Sequence, residues 1–406
     1  MKNILITLPY SLNYRNIVLS GFVNHISANN KVHLIINDGI KLDKNFLLSE
    51  NISIEYKAFN ISFFSKILYR LLKERYWFIQ NTNTYNIKND KSIIRSLSLL
   101  IAPSNLNLLK LLIKCYRWSL RDKEIKKMYS SYDVVISTMA HRWYESKFVL
   151  NLENTCKQVN LLHSWDVITT KGTFLFDYNQ TLVWNSINKT EYKTYVQKIL
   201  GFTGIVNVTG ALQFHDYNSV SERNPKYILY ATSVERLVPD EVLIIESLIE
   251  ICSNLKLKLK VRNHPQRETD INLSDNNVFY GETDESNSWD NANFDRKFFG
   301  DIEYDILNSY CVVSVASTIA LDALALGVPA IFIGDILEHQ QLSKYYNYNH
   351  LSALINKCDI PVVHDLNNLE VQIKGVLQNN LNSVELFEGY LKSRNVFYKV
   401  QQSINI

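Results

Sequence analysis

Residues 311–334 read CVVSVASTIALDALALGVPAIFIG and contain the clearest structural signal in the chain. The apolar run Cys311–Ala316 predicts a buried strand, and the hydroxyls of Ser317-Thr318 are typical of a helix start. Gly327 then marks the helix end, and a second apolar run follows it. A strand, a helix and another strand in this order predict a parallel β-α-β unit.

The same alternation of short apolar runs and helix-like segments extends over most of the chain. In the first half it runs from Asn3–Leu8 to Val206–Val208, and it starts again at Tyr227–Tyr230 after a polar stretch. Such alternation predicts parallel sheets covered by helices on both faces. The predicted fold class is therefore α/β, with two doubly wound, Rossmann-like domains.

The domain boundaries follow from this pattern and from the length of the chain. A chain of 406 residues is long enough for two domains that each bury a core. We predict a first domain at 1–215 and a second at 222–385, joined near 215–225 by a segment that acts as a hinge. Residues 386–406 are predicted to form a tail or a crossover helix.

Composition and missing motifs exclude several classes of function. Lys+Arg 43 against Asp+Glu 40 gives a net charge of +3, too small to indicate nucleic-acid binding. The five cysteines show no metal-ligand spacing, which disfavours structural zinc and indicates reduced thiols. Neither GxGxxG nor GxxxxGK[ST] occurs, so nicotinamide oxidoreductases and P-loop NTPases are disfavoured. No signal peptide or membrane span is predicted, which favours a cytoplasmic protein.

Polar side chains follow three predicted strands of the second domain. They are Thr232 and Ser233 after the first strand, Arg262, His264 and Gln266 after the second, and Ser317, Thr318 and Asp322 after the third. Singly, each has a simpler interpretation, such as an ordinary helix cap at Ser317 or a turn at His264. Hydroxyls, cationic groups and a helix start at three strand ends together predict a phosphate or nucleotide site.

In the first domain, the apolar run that ends at Leu162 is followed by His163, Ser164 and Asp166. Ligands bind at the carboxyl ends of parallel strands, so Asp166 lies where a reacting carboxylate would be useful. His163 and Asp166 could equally cap the next helix or satisfy a turn, and the local sequence leaves both interpretations open. Further along, Lys171 and Gly210 are additional candidates for the site.

The ordered set of motifs resembles bacterial GT-B-fold glycosyltransferases of the surface-polysaccharide group. That group includes CDP-glycerol glycerophosphotransferases, polysialyltransferases and capsule Kdo transferases. The resemblance covers residues 130–335 and is carried by His264-Pro265 at a strand end, Ser317-Thr318 at a helix start and Ser164-Trp165-Asp166 in the first domain. The last motif departs from the Glu-Asp-Gly or His-Gly of those families, so donor identity and stereochemistry do not transfer.

The resemblance implies transfer of a sugar from a nucleotide-sugar donor to a glycan or lipid-linked glycan in O-antigen or capsule synthesis. It implies two domains that face each other across a cleft, with the acceptor on the N-terminal side and no cofactor or metal. Asp166 would be the base or nucleophile, with His163 next in line, and His264, Ser317 and Thr318 would contact the donor phosphates. The nucleotide (UDP, GDP, CDP or CMP), the acceptor, the stereochemical outcome and the oligomeric state stay open. The alternatives are a GT-B-fold sugar-nucleotide epimerase, a glycerol or polyol-phosphate transferase, and a non-catalytic scaffold.

Three segments of the sequence are rich in charged residues, two of them basic and one acidic. Phe63–Gln80 has four bases and one acid, and Leu106–Met128 has seven bases and two acids, with aromatic residues among them. Such helices can rest on an anionic membrane, here the inner face of the cell membrane, although their bases could equally be solvated above a packed apolar face. Glu282–Asp305 holds eight acids and two bases without calcium-loop spacing, so no metal site is predicted there.

Overall fold

The structure is a computed structural model that describes residues 1–40, 49–88, 96, 105–215, 223–265, 267, 271, 273, 275, 278–280, 296–336, 341–378, 383–391, 393 and 395–405. The chain divides into two compact units, unit 1 (Met1–Gln213 with Ser393–Ile406) and unit 2 (Phe214–Lys392). The division falls two residues before the predicted end of the first domain. Most of the predicted hinge, residues 216–222, lies outside the described residues.

Unit 1 contains a seven-stranded parallel sheet in the order β3-β2-β1-β4-β5-β6-β7. The strands are β1 (Asn3–Leu8), β2 (Lys31–Ile36), β3 (Ile52–Tyr56), β4 (Val134–Ser137), β5 (Lys157–Leu161), β6 (Gln180–Val183) and β7 (Ile205–Val208). The order reverses beside β1, as in doubly wound folds that bind ligands at the carboxyl ends of the strands. The loops after β1, β4, β5 and β6 therefore border the ligand-binding edge of this sheet.

Helices connect the strands of unit 1 and cover both faces of the sheet. They are α1 (Ser11–Tyr14), α2 (Phe22–Ser27), α3 (Phe63–Gln80), α4 (Asn83–Ile87), α5 (Leu106–Ser119), α6 (Lys123–Tyr129), α7 (Ser146–Leu152), α8 (Val167–Thr170), α9 (Ser186–Glu191), α10 (Lys198–Leu200) and, from the C-terminal segment, α18 (Val396–Asn405). Among the residues of unit 1 that the structure describes, two turns are π-helical, Arg15–Leu19 after α1 and Tyr192–Gln197 after α9. π-helical turns are rare in proteins, and those that do occur often lie at functional sites.

Alternate residues of the strands build two cores, one on each face of the sheet. In β1, Ile4 and Ile6 belong to one core, whereas Leu5 belongs to the other. The larger core also includes residues of α18, where Phe397 packs against Phe22 with ring centroids 5.6 Å apart. Lys157 Nζ donates to the carbonyl of Ser403 near the end of α18 (2.6 Å), a favourable place for a cation.

Unit 2 has a six-stranded parallel sheet of the same winding, in the order β10-β9-β8-β11-β12-β13. The strands are β8 (Tyr227–Ala231), β9 (Lys258–Arg262), β10 (Val278–Tyr280), β11 (Ser309–Ser314), β12 (Ala330–Ile333) and β13 (Val362–Val363). The helices are α11 (Glu241–Asn254), α12 (Arg296–Leu307), α13 (Ile319–Ala325), α14 (Ser343–Tyr346), α15 (Asn349–Cys358), α16 (Leu366–Leu377) and α17 (Ser383–Tyr390). The predicted α/β class with two parallel, doubly wound units is confirmed.

Candidate functional site

In unit 1 the predicted catalytic carboxylate, Asp166, lies in the loop after β5, where neighbouring side chains hold both of its oxygens. Asp166 is only 6% exposed. Its Oδ1 accepts a hydrogen bond from Ser164 Oγ (2.6 Å), and its Oδ2 pairs with Lys171 Nζ (2.9 Å). Although Asp166 occupies the N-cap position of α8, its side chain caps no backbone N–H. The helix-cap interpretation of Asp166 is therefore not supported by the geometry.

His163 lies three residues before Asp166 and stacks on a second histidine that the sequence analysis did not identify. The rings of His163 and His141 are 4.8 Å apart between centroids and tilted by 16°. Burial, together with the charge of Lys171, lowers the pKa of His163 to about 3, so its imidazole is neutral near pH 7. Burial also lowers the pKa of His141 well below its ordinary value. The pair can accept or donate hydrogen bonds but carries no charge.

Buried polar atoms without a partner surround this pair. Among the described residues, no hydrogen-bond partner is found for His163 Nδ1, His141 Nε2, Asn16 Oδ1 or Asn185 Nδ2. Asn16, in the first π-helical turn, donates through its Nδ2 to the carbonyl oxygen of His163 (2.8 Å). Buried polar atoms are usually paired, so a group of unpaired ones at the strand ends is typical of a ligand site.

A second carboxyl group in this region titrates near neutral pH. Burial, together with the negative charge of Asp166, raises the pKa of Glu191 to about 7. Asn188 Nδ2 donates both to Glu191 Oε2 (3.3 Å) and to the Trp165 carbonyl (2.9 Å), which ties the end of α9 to the loop of Asp166. Glu191 lies inside a helix-like stretch, so no local signal in the sequence points to it. Its pKa is in the range useful for proton transfer.

In unit 2 the structure brings together the residues that follow β8 and β9. Thr232 Oγ1 accepts a hydrogen bond from the backbone N–H of His264 (2.7 Å), and Thr232 N donates to the Arg262 carbonyl (3.0 Å). Burial, together with the charge of Arg267, lowers the pKa of His264 to about 4. His264 therefore offers a neutral imidazole rather than a cation at physiological pH.

Arg262 is engaged elsewhere in the unit. Its NH1 pairs with Asp305 Oδ2 (2.9 Å), and Lys260 pairs with the other oxygen of the same carboxylate. Lys260 and Arg262 are two residues apart in β9, so their side chains share one face of the sheet, where α12 presents Asp305. The predicted contact of Arg262 with donor phosphates stays a prediction, and in this structure its charge is compensated within the unit.

A buried ion pair that sequence reasoning missed shapes the loop after β8. Glu241, at the start of α11, accepts hydrogen bonds from Tyr230 OH (2.8 Å) and Ser233 N (2.7 Å). The same carboxylate pairs with Arg267, which also donates to the Ser233 carbonyl (3.1 Å). The two residues are 26 positions apart, so only the fold reveals the pairing. They hold the backbone at Ser233 in place.

The turn between β11 and α13 carries Ser317 and Thr318. Thr318 is the N-cap, but its hydroxyl makes no capping hydrogen bond. Ala316 adopts a positive φ of 46°, and its N–H donates to Tyr346 OH (3.2 Å), which in turn donates to the Ile333 carbonyl (2.6 Å). Tyr346 therefore holds the turn, and Ser317 Oγ also accepts a long hydrogen bond from Ile319 N (3.5 Å), so that its hydroxyl proton can still be donated to a ligand.

The remaining predicted site residues are distributed as follows. Asp322 is buried in the first turn of α13. Gln266 lies outside the described residues. Gly210 has a φ of 96°, and a Cβ there would come within 2.5 Å of Ser393 Cβ, so the glycine allows the chain leading to α18 to approach closely. Roles of Asp322, Gln266 and Gly210 in ligand binding stay predictions.

Two further properties bear on function. The described part of the chain contains no group of three or more His, Cys, Asp or Glu side chains that could hold a metal ion. The acidic segment Glu282–Asp305 lies largely outside the described residues, so the predicted absence of a metal site stays a prediction. In the described helices, none is both long enough and apolar enough to cross a membrane.

Comparison with known structures defines the class of fold, which is GT-B. A complex of S. aureus MnaA with UDP is similar over 98% of this chain and 94% of that chain, with a TM-score of 0.54 and 10% identity. A "putative UDP-N-acetylglucosamine 2-epimerase" from Listeria monocytogenes gives the same coverage, with a TM-score of 0.51 and 9% identity. Os79 from O. sativa in complex with UDP is similar over 98% of this chain and all of that chain, with a TM-score of 0.50 and 10% identity.

Sequence comparison is more specific for part of the chain. Residues 196–358 match the model of a family described as "putative O-antigen biosynthesis protein". The match covers less than half of the chain and confirms the predicted resemblance to surface-polysaccharide proteins over those residues. No curated protein is significantly similar in sequence.

Proposed function

We propose that this protein is a glycosyltransferase that moves a sugar from a nucleotide-sugar donor to a glycan or lipid-linked glycan during O-antigen or related polysaccharide synthesis. The observation that carries the proposal is the placement of Asp166, a buried carboxylate at a strand end that caps no helix. The O-antigen match over residues 196–358 supports the biosynthetic context, and UDP in two of the similar structures supports a nucleotide-sugar donor.

In the proposed reaction, Asp166 acts on the acceptor. One carboxylate oxygen takes the proton of the acceptor hydroxyl while the hydroxyl oxygen bonds to the anomeric carbon of the donor. The bond from that carbon to the phosphate oxygen breaks, and the nucleotide leaves with the electron pair. Ser164 and Lys171 position the carboxylate through both of its oxygens. In a retaining variant of this reaction the same carboxylate would attack the anomeric carbon, and the configuration of the product distinguishes the two.

Unit 2 would bind the donor at the carboxyl ends of β8, β9 and β11. The neutral imidazole of His264 and the hydroxyls of Ser233, Ser317 and Thr318 are the proposed donors of hydrogen bonds to phosphate oxygens. Thr232 would position the loop, because its hydroxyl already accepts the backbone N–H of His264. No divalent metal takes part in this proposal.

The test is a panel of UDP-, GDP-, CDP- and CMP-sugars, assayed for nucleotide release with and without a lipid-linked glycan fraction. A transferase releases nucleotide in proportion to the glycosylated product, and only when the acceptor is present. An epimerase would interconvert a sugar nucleotide without stoichiometric nucleotide release, and that result would replace the proposal. Absence of turnover with every donor and acceptor fraction would favour the non-catalytic alternative.

We further propose that unit 1 contacts an anionic membrane, where lipid-linked acceptors reside. Exposed aromatic side chains meet at one end of the packed pair α3 and α5, where Ser65 Oγ and Ser119 Oγ are 2.8 Å apart. Phe63 is 79% exposed and Trp118 is 69% exposed. A cavity of about 570 Å³ beside Trp118 has more bases than acids in its lining: Lys114, Arg117, Arg121, Lys123 and Lys126 against Asp122 and Glu153. Exposed aromatics beside clustered bases support interfacial binding.

Vesicle co-sedimentation tests the membrane contact. The wild-type protein is expected to sediment with vesicles containing phosphatidylglycerol and to remain in solution with purely zwitterionic vesicles. The double variant Phe63→Ser/Trp118→Ser should lose this binding, whereas Tyr398→Ser, which removes an exposed aromatic residue from α18, should retain it. Equal binding by both variants would contradict the assignment of this surface.

A further inference from the structure

Three chain segments of unit 1 bring cationic side chains to the region of Asp166. Lys171 follows α8 and pairs with Asp166, and Lys88 follows α4 and donates to the Thr170 carbonyl (3.3 Å). Arg142 lies in the loop after β4, next to His141, whose ring stacks on His163. The cations therefore come from separate parts of the sequence and meet at one edge of the sheet.

Arg142 is half-buried, and within the described part of the chain it lacks the carboxylate partner that two buried arginines of unit 2 have. In unit 2, Arg262 pairs with Asp305 and Arg267 with Glu241. Within the described residues the Arg142 side chain has no ion pair or hydrogen bond, and its buried Nε atom has no acceptor. A buried donor without an acceptor destabilises a protein, so such an arrangement is typical of a site that a ligand completes.

The electrostatics of the surrounding groups agree with a locally positive field. After burial, the charges of Lys171 and Arg142 both contribute to lowering the pKa of His163 and of His141. Burial, together with the charges of neighbouring cations that include Lys171 and Arg142, lowers the pKa of Lys88 to about 8, against the opposing effect of Asp166. His163 Nδ1 and His141 Nε2 have no hydrogen-bond partner among the described residues, and both side chains are more than nine-tenths buried. These two nitrogens could form further hydrogen bonds with a ligand in this positive region.

We propose that Arg142 and Lys171 bind an anionic oxygen group, a phosphate or a carboxylate, of the molecule that accepts the sugar. This inference rests on the proposed transferase function and specifies its acceptor class as negatively charged. A guanidinium offers a planar pair of donors that matches either oxyanion, and an ammonium beside it adds a charge-assisted hydrogen bond. A phosphate would come from a lipid diphosphate linkage, whereas a carboxylate would come from an acidic sugar.

Calorimetric titration of the full-length protein with inorganic pyrophosphate and, separately, with glucuronate tests the site without turnover. The wild-type protein should bind at least one probe, and Arg142→Gln/Lys171→Gln should bind that probe tenfold or more weakly. Lys198→Gln, which removes an exposed cation of the same unit, should bind like the wild type. Loss of the pyrophosphate step indicates a phosphate-bearing acceptor, and loss of the glucuronate step indicates an acidic sugar.

A single variant guards against the case in which the double variant does not fold. Lys171→Gln alone changes a side chain that is 41% exposed, so it should fold even if the double variant does not, and weaker binding is again expected. If Arg142→Gln/Lys171→Gln binds each probe as tightly as the wild type does, the binding belongs to another site and the proposed anion site is overturned. It is also overturned if the wild type binds neither probe. Loss of probe binding in the variants without any sugar transfer by the wild type would instead preserve the site and reject the transferase function.

Discussion

Replacing Asp166 with asparagine separates the chemical role of its carboxylate from its structural role. An asparagine keeps the shape of the side chain and can still accept the hydrogen bond from Ser164 through its amide oxygen. The ion pair with Lys171 is lost, but Lys171 is 41% exposed, and pairs of that kind contribute about 0–1 kcal/mol. The free energy of unfolding should therefore change by less than about 1 kcal/mol.

The effect on the rate should be much larger. An amide cannot accept a proton from the acceptor hydroxyl, and a positioned base contributes about 10²–10⁴-fold to the rate, equivalent to about 3–5 kcal/mol of transition-state stabilisation. Nucleotide release with acceptor present measures kcat, and urea unfolding measures stability. Asp38→Asn makes the same change at an exposed carboxylate and should leave both unchanged. Turnover of Asp166→Asn within threefold of the wild type would show that the reasoning about this carboxylate is wrong.

Three further predictions concern stability, pH and metal. Asp305→Asn should lower the free energy of unfolding by about 3–5 kcal/mol in urea titrations, because it leaves Lys260 and Arg262 as buried charges without their carboxylate. The pKa of His163 is about 3 in the folded protein against 6.5 for an ordinary histidine, so the unfolded chain takes up a proton first and stability falls as pH drops from about 6.5 towards 3. Unfolding measured at pH 7 and pH 5 should show a smaller loss for His163→Gln than for the wild type, and an equal loss would argue against a neutral buried imidazole. Turnover is expected to survive EDTA, and its abolition with recovery on adding magnesium would direct attention to the acidic segment 282–305.

The strand pattern was largely predictable because buried parallel strands are short, apolar and β-branched. The runs that became β1, β4 and β11 show this clearly. By contrast, β10 and β13 contain only three and two residues, too few for any period to appear. The predicted strand Cys311–Ala316 ends two residues later than β11, because Ala316 turns into a positive φ that its sequence does not signal.

The site was predictable where a rule about strand ends applied and unpredictable where distant residues pair. His163 and Asp166 follow β5, and the same rule applied to β4 would also have identified His141. The pairing of Arg267 with Glu241 depends on how the loop after β9 returns to α11, which no local pattern contains. The predicted contact of Arg262 with phosphate stays a prediction, and its pairing with Asp305 was not predictable because the two residues are 43 positions apart.

The return of the C-terminal segment to unit 1 has a consequence for the order in which the chain can fold during synthesis. Val400 and Phe397 in α18 belong to the same core as Ile4 and Phe22, at the opposite end of the sequence. The ribosome therefore completes all of unit 2 before it delivers the last helix of unit 1. Until then, an apolar face of the first sheet and its helices stays uncovered, which is the kind of surface that recruits chaperones or aggregates. Unit 2, in contrast, is contiguous from Phe214 to Lys392 and can fold as soon as it emerges.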